Sequence, residues 1–339
     1  AAKPAPAEPA PAEPAPAAAA QPEAAPGLPS VGHCSGPACG LLWSGKQVLG
    51  KDKEHQCKMF PMKDGKYLGG GKPPQLCLRP YWDVISALVR EQGVWRDCPP
   101  LSELWEKRPC PRDRPSCSRN VYMDIGANIG ACLAQMLARP DVTRTLAFEP
   151  NQANLFYLTG TVLANKGMSD KVSLFSAGLG NSRASHAIYE EKGNAGNTAL
   201  DSPTAGKSAM VGKVEVVTLD SVLMQGSQPP PYIHLCKMDA QGFEGKILQG
   251  AKQLLKSGAV GTWKFEVTAH MLTGHGSSTA AVFEAFIASG YHILEVGKEK
   301  PLSANELRRY ACQMPSLERD FVATLSLPAK TPKQAVVRC

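Results

Sequence analysis

From residue 120 onward, short apolar runs alternate with stretches of helical periodicity. The apolar runs predict seven strands, at 121–125, 143–148, 172–176, 232–238, 262–267, 291–296 and 321–326. Helical patterns lie between them, at 128–138, 152–165, 244–257 and 279–289. This alternation predicts an α/β fold, with a mostly parallel sheet covered by helices on both faces. Two further strands, 185–190 and 214–219, are expected to form an insertion or a hairpin.

A glycine-containing turn follows the first predicted strand. The strand ends in Asp124, and Gly126, Asn128 and Gly130 then open a helix. Glycine lets a backbone approach a ligand closely, and a helix start offers unpaired N–H groups. The dinucleotide pattern G-x-G-x-x-G fits poorly, because Asn128 and Ala131 occupy its second and third glycine positions, and no Walker lysine follows. The turn therefore favours a ligand with an amino-acid group and a nucleoside, or it only connects strand to helix.

A second acid, Glu149, ends the next predicted strand and precedes Asn151. A carboxylate at this point of an α/β fold can accept hydrogen bonds from both hydroxyls of a ribose. The alternative is a surface glutamate that caps a helix. Taken with Asp124, the position of Glu149 favours a nucleoside site, in which Asp124 accepts a hydrogen bond from an ammonium group.

Four sequence blocks, VYMDIGANIG, AFEPN, VEVVTLD and KMDAQGFEGKILQGA, resemble in order the motifs of the FkbM-type methyltransferases. The resemblance covers roughly residues 120–327. It implies a class I methyltransferase fold, Rossmann-like with a seven-stranded sheet, and S-adenosylmethionine as cofactor. The residues that it implies for cofactor binding are Asp124, Gly126, Asn128, Gly130, Glu149, Asn151, Ser176 and Ala177. The chain departs from the family at Gln241, where a glutamate is common, so we expect no proton transfer by Gln241.

Candidate catalytic residues follow the later strands. Methyl transfer needs an aligned acceptor and, for a hydroxyl acceptor, a group that takes its proton. Asp239 ends the predicted strand 232–238, and Glu244 follows at a helix start. Glu266 ends the next strand, and His270 follows it. We expect the base to be among these four residues. Asp239, Glu244 and His270 also have simpler explanations, as a helix cap, a terminal charge and a solvated side chain, and Glu266 or His270 could instead pair with a metal. No set of metal ligands is expected.

The first part of the chain has a different composition. Residues 1–30 consist almost entirely of Pro, Ala and Glu, which favours an extended, disordered stem. Residues 31–118 are expected to form a Cys-rich region with helices at 81–93 and 101–107 and loops elsewhere. The methyltransferase domain is expected over residues 119–328, followed by a loose tail at 329–339.

Seven of the 11 cysteines lie between Cys34 and Cys117. Their wide spacing favours disulfides in an oxidising compartment. The alternatives are reduced thiols or a zinc site, for which Cys34 and Cys39 form the closest approach to a paired knuckle. Because seven is an odd number, one cysteine is expected to pair outside this region or to stay free. Cys132 and Cys236 lie on apolar faces and are expected to be buried thiols.

These features predict an enzyme that transfers a methyl group to a hydroxyl of a sugar, a glycan or a small molecule. The alternative is an inactive binding or scaffold module of the same fold; a nicotinamide dehydrogenase fits the glycine pattern poorly. The formal net charge of +7 is mild, and no nucleic-acid module is visible, so no nucleic-acid partner is expected; an acidic partner or acceptor is an alternative to a merely solvated surface. We expect a lumenal or secreted protein with an upstream membrane tether, or else a plastid or cytosolic one.

Overall fold

A computed structural model describes residues 41–42, 56–63, 66–108, 120–191, 194–201, 208–225, 230–325, 327, 331–335 and 339. The strands are β1 (Lys58–Pro61), β2 (Gln75–Leu78), β3 (Val121–Ile125), β4 (Arg144–Phe148), β5 (Val172–Phe175), β6 (Gly178–Leu179), β7 (Ala184–Glu191), β8 (Asn194–Leu200), β9 (Ser208–Val217), β10 (Ile233–Met238), β11 (Val260–Thr268), β12 (His292–Glu295) and β13 (Glu318–Thr324). The helices are α1 (Val84–Gln92), α2 (Pro99–Lys107), α3 (Ala131–Leu137), α4 (Gln152–Ala164), α5 (Leu219–Leu223), α6 (Glu244–Gln249), α7 (Lys252–Ser257), α8 (Ala269–Gly274), α9 (Thr279–Ala288) and α10 (Ala304–Cys312).

The main sheet has seven strands in the order β12-β13-β11-β10-β3-β4-β5. All pairs are parallel except those that β13 makes with β11 and β12. Every residue of β3 and β10 is buried, as expected for strands covered on both faces. The mostly parallel α/β sheet predicted from the sequence is confirmed. Its parallel order brings the carboxyl ends of β3, β4, β5 and β10 to one edge.

The insertion between β5 and β10 is larger than predicted. It forms a four-stranded sheet in the order β6-β9-β7-β8. Strand β8 was not predicted, because its sequence NAGNTAL lacks the β-branched alternation of a typical strand. Strand β9 begins at Ser208, well before the predicted start at residue 214.

The helices also differ from the sequence expectation. The predicted helix 244–257 is two helices, α6 and α7, which break at Gly250. A Cβ at Gly250 would lie 2.0 Å from the carbonyl oxygen of Gly180, so the chain packs too closely there for another residue. Helix α10 was not predicted, although Ser303 and Glu306 form a capping box at its start.

The described segments 56–63 and 66–108 pack on the sheet through a shared apolar core. This core joins Leu76, Leu101 and Trp105 to Tyr122 of β3 and to Leu133 of α3. The two helices expected in this region are present as α1 and α2, with slightly shifted ends. The expectation of loops elsewhere is wrong for β1 and β2, which form an antiparallel pair of four residues each. Such short strands give little periodicity in the sequence.

Three disulfides lie within the described residues: Cys57–Cys77, Cys98–Cys132 and Cys312–Cys339. They confirm the expectation of disulfides. The prediction that Cys132 is a core thiol is wrong, because it lies on α3 within bonding distance of Cys98, a partner distant in sequence. Cys236 is a free, buried cysteine, as predicted. The possible knuckle of Cys34 and Cys39 lies outside the described residues.

No helix in the described part of the chain is long and apolar enough to cross a membrane. Within those same residues, no group of three or more His, Cys, Asp or Glu side chains is arranged to hold a metal ion.

Candidate active site

The glycine turn after β3 is shaped by the neighbouring strand β10. Gly126 has a φ of +75°, and a Cβ there would lie 1.9 Å from the carbonyl oxygen of Asp239. The backbone N–H of Asp239 in turn donates to Ile125 O at 3.1 Å. Gly130, with a φ of +83°, precedes α3 and faces Leu158. The close approach of the ends of β3 and β10 therefore requires a glycine at position 126.

Glu149 lies at the end of β4, is 4% exposed and is held by three donors. Its carboxylate accepts hydrogen bonds from the backbone N–H of Asn128 at 2.8 Å and of Asn151 at 2.8 Å. The side-chain amide of Asn154 donates to it at 3.1 Å. Burial raises the pKa of Glu149, and these bonds oppose the rise. A carboxylate has about four acceptor sites, so one remains for a ligand.

A small cavity of about 70 Å³ adjoins Glu149. Its wall is mostly apolar and includes Phe148, Ala177 and Leu200. Two residues that were predicted to bind the cofactor, Asn151 and Ser176, do not line this cavity. Asn151 caps α4 by accepting from Ala153 N at 2.9 Å, and its amide donates to Glu190 at 2.9 Å.

Ser176 has contacts of its own at the end of β5. Its hydroxyl accepts from the side-chain amide of Gln152 at 3.0 Å, and its backbone N–H donates to Leu41 O at 2.9 Å. Both contacts hold the chain that leads into Ala177, which does line the small cavity. Ser176 is therefore placed to support this wall.

A larger cavity of about 470 Å³ lies next to the small one. Both are lined by Gly126, Asn128, Gly196, Asp239 and Gln241, so they meet at the ends of β3 and β10. Of the four predicted catalytic residues, the structure brings three to the larger cavity: Asp239, Glu266 and His270. Of the predicted cofactor residues, Gly126, Asn128, Glu149 and Ala177 thus line the small cavity, which adjoins the larger cavity with its three catalytic candidates.

Two buried lysines, Lys237 on β10 and Lys264 on β11, lie side by side, and Lys237 lines the larger cavity. Lys237 Nζ lies 3.3 Å from Asp239 Oδ2 and 3.7 Å from Asp124 Oδ1, and it donates to Gly126 O at 3.2 Å. Lys237 is paired in register with Asp124 on one side and with Lys264 on the other. Asp124 is fully buried, and Lys237 is the cation that it faces. The structure thus places an internal ammonium where a ligand's ammonium was expected.

The charges set different protonation states for the carboxyl groups. Burial acts to raise the pKa of Asp239, but Lys237 and Lys264 outweigh it and hold that pKa below its usual value. Burial, opposed in part by Lys237, raises the pKa of Asp124 to about 6. Burial and the negative charges of Asp239 and Glu244 raise the pKa of Glu266. Near neutral pH, Asp239 is ionised and Glu266 carries a proton.

Gln241 joins two of these carboxyl groups. Its amide donates to Asp239 Oδ1 at 2.9 Å and lies 3.4 Å from Glu266 Oε2. The backbone of Gln241 has a φ of +50°, which the tight turn after β10 imposes. A neutral amide between two carboxyl groups orients both without adding a third negative charge.

Glu244 is 1% exposed and does not appear among the residues that line either cavity described above. Its Oε1 accepts from Ala240 N at 2.8 Å, which fixes the turn that carries Asp239. Burial raises the pKa of Glu244 to about 7. Glu244 therefore contacts the turn rather than the cavity.

Several residues of the site were not identified from the sequence. Lys237 and Lys264 are single charges inside apolar strands, and that pattern was an available signal. His275, whose pKa is lowered by burial and by Lys246, lines the cavity, but nothing in its local sequence distinguishes it. Asp97 reaches the cavity from outside the resembling segment.

Several solved structures are similar to this chain at a low level. The structure of a methyltransferase FkbM from Methylobacillus flagellatus KT is 16% identical, with a TM-score of 0.37, over 71% of this chain and 60% of that chain. A human methyltransferase 10 domain containing protein is 13% identical, with a TM-score of 0.35, over 72% and 93% of the two chains. A precorrin-6y C5,15-methyltransferase from Geobacter metallireducens GS-15 is 12% identical, with a TM-score of 0.31, over 62% and 84%.

No curated protein matches the chain. A family model described as the methyltransferase FkbM domain matches residues 124–293, half of the chain. The matched segment runs from the acid that ends β3, through the Asp239 turn, to β12. The match confirms the resemblance stated from the sequence blocks, and S-adenosylmethionine as the cofactor. The chain belongs to the FkbM methyltransferase family.

Proposed function

We propose that the chain is an active methyltransferase that moves a methyl group from S-adenosylmethionine to a hydroxyl of a sugar, a glycan or a small molecule. The observation that carries the proposal is the state of Asp239. Its side chain is 30% exposed, stands where the two cavities meet, and is held ionised by Lys237. A domain that only binds has no need for an ionised, positioned carboxylate at this point.

The residues around the cavities fit the cofactor. Glu149 keeps one acceptor site beside the apolar wall of the small cavity, which suits a ribose hydroxyl next to a base. Asn128 and Ala177 complete this part of the proposed cofactor site. When bound, S-adenosylmethionine supplies a methyl group activated by a sulfonium.

The protein's own contribution is placement and proton transfer. We infer that Asp239 accepts the proton of the acceptor hydroxyl at Oδ2 or Oδ1 as the new bond to the methyl group forms. Gln241 fixes the carboxylate plane, and Lys237 keeps it ionised. Glu266 is protonated near neutral pH, so it serves better as a hydrogen-bond donor than as the base.

The alternative is an inactive module that binds the cofactor without transferring its methyl group. One experiment separates the two: incubation with methyl-deuterated S-adenosylmethionine and a library of sugars, glycans and small hydroxyl compounds, followed by mass spectrometry. Transfer by the wild type, and its loss in Asp239→Asn, would support the enzyme. Cofactor binding without transfer to any compound would support the inactive module.

The disulfides also bear on the compartment in which the protein is found. The disulfides are compatible with an oxidising compartment. We propose a lumenal or secreted location, in which the stem of residues 1–30 holds the domain away from a membrane tether. We also propose that the boundaries between the stem, the Cys-rich region, the methyltransferase domain and the tail lie at residues 30, 118 and 328.

A further inference from the structure

One wall of the larger cavity is built by residues that precede the family segment. Helix α1 contributes Val84 and Ile85, and the turn after it contributes Trp95, Arg96 and Asp97. The family match begins at residue 124. We call residues 95–97 the acceptor wall, because they line the larger cavity but are not among the residues that line the small one.

The acceptor wall is fixed to the cofactor side of the site. The next residue, Cys98, is fully buried and forms the disulfide with Cys132 of α3, with the two Cα atoms 4.9 Å apart. Its backbone N–H donates to Trp95 O at 3.1 Å, and its carbonyl accepts from the Gln135 side chain at 2.8 Å. A wall held in this way can position a bound acceptor relative to the glycine turn.

Asp97 has spare hydrogen-bonding capacity within this wall. Its side chain is 30% exposed, and its partner within the described residues is Arg96 Nε at 3.8 Å. It lies in the electrostatic field of the Lys237–Asp239 and Lys264–Asp320 pairs. Burial raises its pKa, as expected for a carboxyl group that lacks a strong partner. Its oxygens are therefore available to a ligand.

The charge of the cavity limits which ligand this is. Its lining includes the carboxyl groups of Asp97, Glu191, Asp239 and Glu318, besides that of Glu266, which is protonated near neutral pH. Among the described residues, the lysine and arginine side chains that line it are Arg96, which is 71% exposed, and Lys237, which is already paired with two aspartates. An anionic group would find no free buried cation among the described lining residues, so its entry would cost desolvation and repulsion. The described lining of the cavity is thus acidic, although the whole chain has a formal net charge of +7.

We propose that Asp97 is an acceptor-binding residue that selects an acceptor with hydrogen-bond donors and no negative charge. In this proposal Asp97 accepts a hydrogen bond from a hydroxyl or ammonium group beside the reacting hydroxyl, and Trp95 packs on the apolar face of the acceptor. The inference rests on the proposed function and narrows its substrate class. It places acceptor selection outside the matched family segment.

The test uses three probes of equal size: methyl glucoside, glucosamine and glucuronate. Their binding to the full chain loaded with S-adenosylhomocysteine is measured by saturation-transfer NMR. We expect glucoside or glucosamine to bind at least about tenfold more tightly than glucuronate. Asp97→Asn and Asp97→Ala should weaken that binding about tenfold or more, because a hydrogen bond to a charged group is lost. Glu103→Gln, an exposed acid on α2, is the matched control and should change nothing.

Each outcome has a defined meaning. If glucuronate binds best, if none of the probes binds, or if both Asp97 variants bind the probes as the wild type does, the proposal is overturned. Calorimetry with S-adenosylmethionine is run on the same samples. A wild type that binds no cofactor contradicts the proposed function itself, whereas intact cofactor binding with unchanged probe binding in the Asp97 variants contradicts only this inference.

Discussion

The ammonium of Lys237 lies 3.3 Å from the carboxylate of Asp239, and both side chains belong to the carboxyl end of β10. The same ammonium faces Asp124 at 3.7 Å on the neighbouring strand. The negative charges of Asp239 and Asp124 outweigh the effect of burial and raise the pKa of Lys237. Lys237 thus contacts both Asp124, which was expected at the cofactor, and Asp239, which was expected among the candidates for the base.

Asp239→Asn should lower turnover by about 10²–10⁴ while leaving cofactor affinity within a few fold, because a general base is lost and the shape is kept. Turnover is measured with an acceptor found in the library screen, and affinity by calorimetry. Glu284→Gln, an exposed acid on α9, is the control. Full activity in the Asn variant would transfer the base role to Glu266 or His270.

Lys237→Met should destabilise the fold by about 3–5 kcal/mol, because it leaves the carboxylates of Asp124 and Asp239 without their buried cation. Chemical denaturation measures the loss. Lys252→Met, an exposed lysine on α7, is the control. A change within experimental error would show that Asp124 and Asp239 do not depend on this lysine.

Glu149→Ala should weaken binding of S-adenosylmethionine by about 1.5–3 kcal/mol, since a charged acceptor is lost. The structure adds a consequence: the donors of Asn128, Asn151 and Asn154 lose their acceptor, so stability should fall as well. Calorimetry is therefore run at a temperature where the variant is fully folded. An unchanged dissociation constant in the folded variant would remove the ribose assignment.

Stability should depend on pH through Glu244. Its pKa is raised from 4.5 to about 7, so between these values the folded chain binds more protons than the unfolded chain. The free energy of unfolding should therefore fall as the pH rises through this window, by roughly 3 kcal/mol for this group. Asp124, raised from 3.8 to about 6, acts in the same direction at lower pH.

Glu244→Gln isolates that contribution, because the amide oxygen can still accept from Ala240 N. Denaturant titrations at about pH 5 and about pH 8 should show a smaller difference between the two pH values in the variant than in the wild type. An equal difference in both proteins would show that Glu244 is not the group that titrates.

Gly126→Ala should be far more destabilising than Gly167→Ala. Both glycines have a positive φ, near +75° and +82°, which costs an alanine roughly 1–2 kcal/mol. Only at Gly126 would the added Cβ meet the backbone of Asp239, at 1.9 Å, whereas nothing lies within 4 Å at Gly167. Thermal unfolding compares the two variants, and similar melting temperatures would contradict the close approach of β3 and β10.

The disulfides predict the chemistry of the purified native protein. Alkylation without reduction, followed by mass spectrometry, should leave Cys57, Cys77, Cys98 and Cys132 unmodified. Reduction should cost roughly 2–4 kcal/mol for each cross-link. Alkylation of all four under native oxidising purification would contradict both the disulfides and the proposed oxidising compartment. Cys236 is the internal control and should react only after unfolding, because it is buried and free.

Local sequence patterns were enough to predict the sheet and the position of its functional edge. Buried apolar runs alternating with helices allow few arrangements other than a covered parallel sheet. Acids at the carboxyl ends of parallel strands, such as Asp124, Glu149 and Asp239, must then meet at one edge. These conclusions follow from local periodicity and from the geometry of parallel strands, so they needed no long-range contact.

The protonation states and contacts of those acids, in contrast, depend on long-range contacts in the folded chain. The register of β3, β10 and β11 sets Lys237 beside Asp124 and Lys264 beside Lys237, and this decides which carboxyl groups stay ionised. The Cys98–Cys132 disulfide brings Asp97 to the cavity from outside the family segment. Electrostatic coupling and cross-linking depend on distances between residues far apart in the chain, and local sequence patterns do not contain those distances.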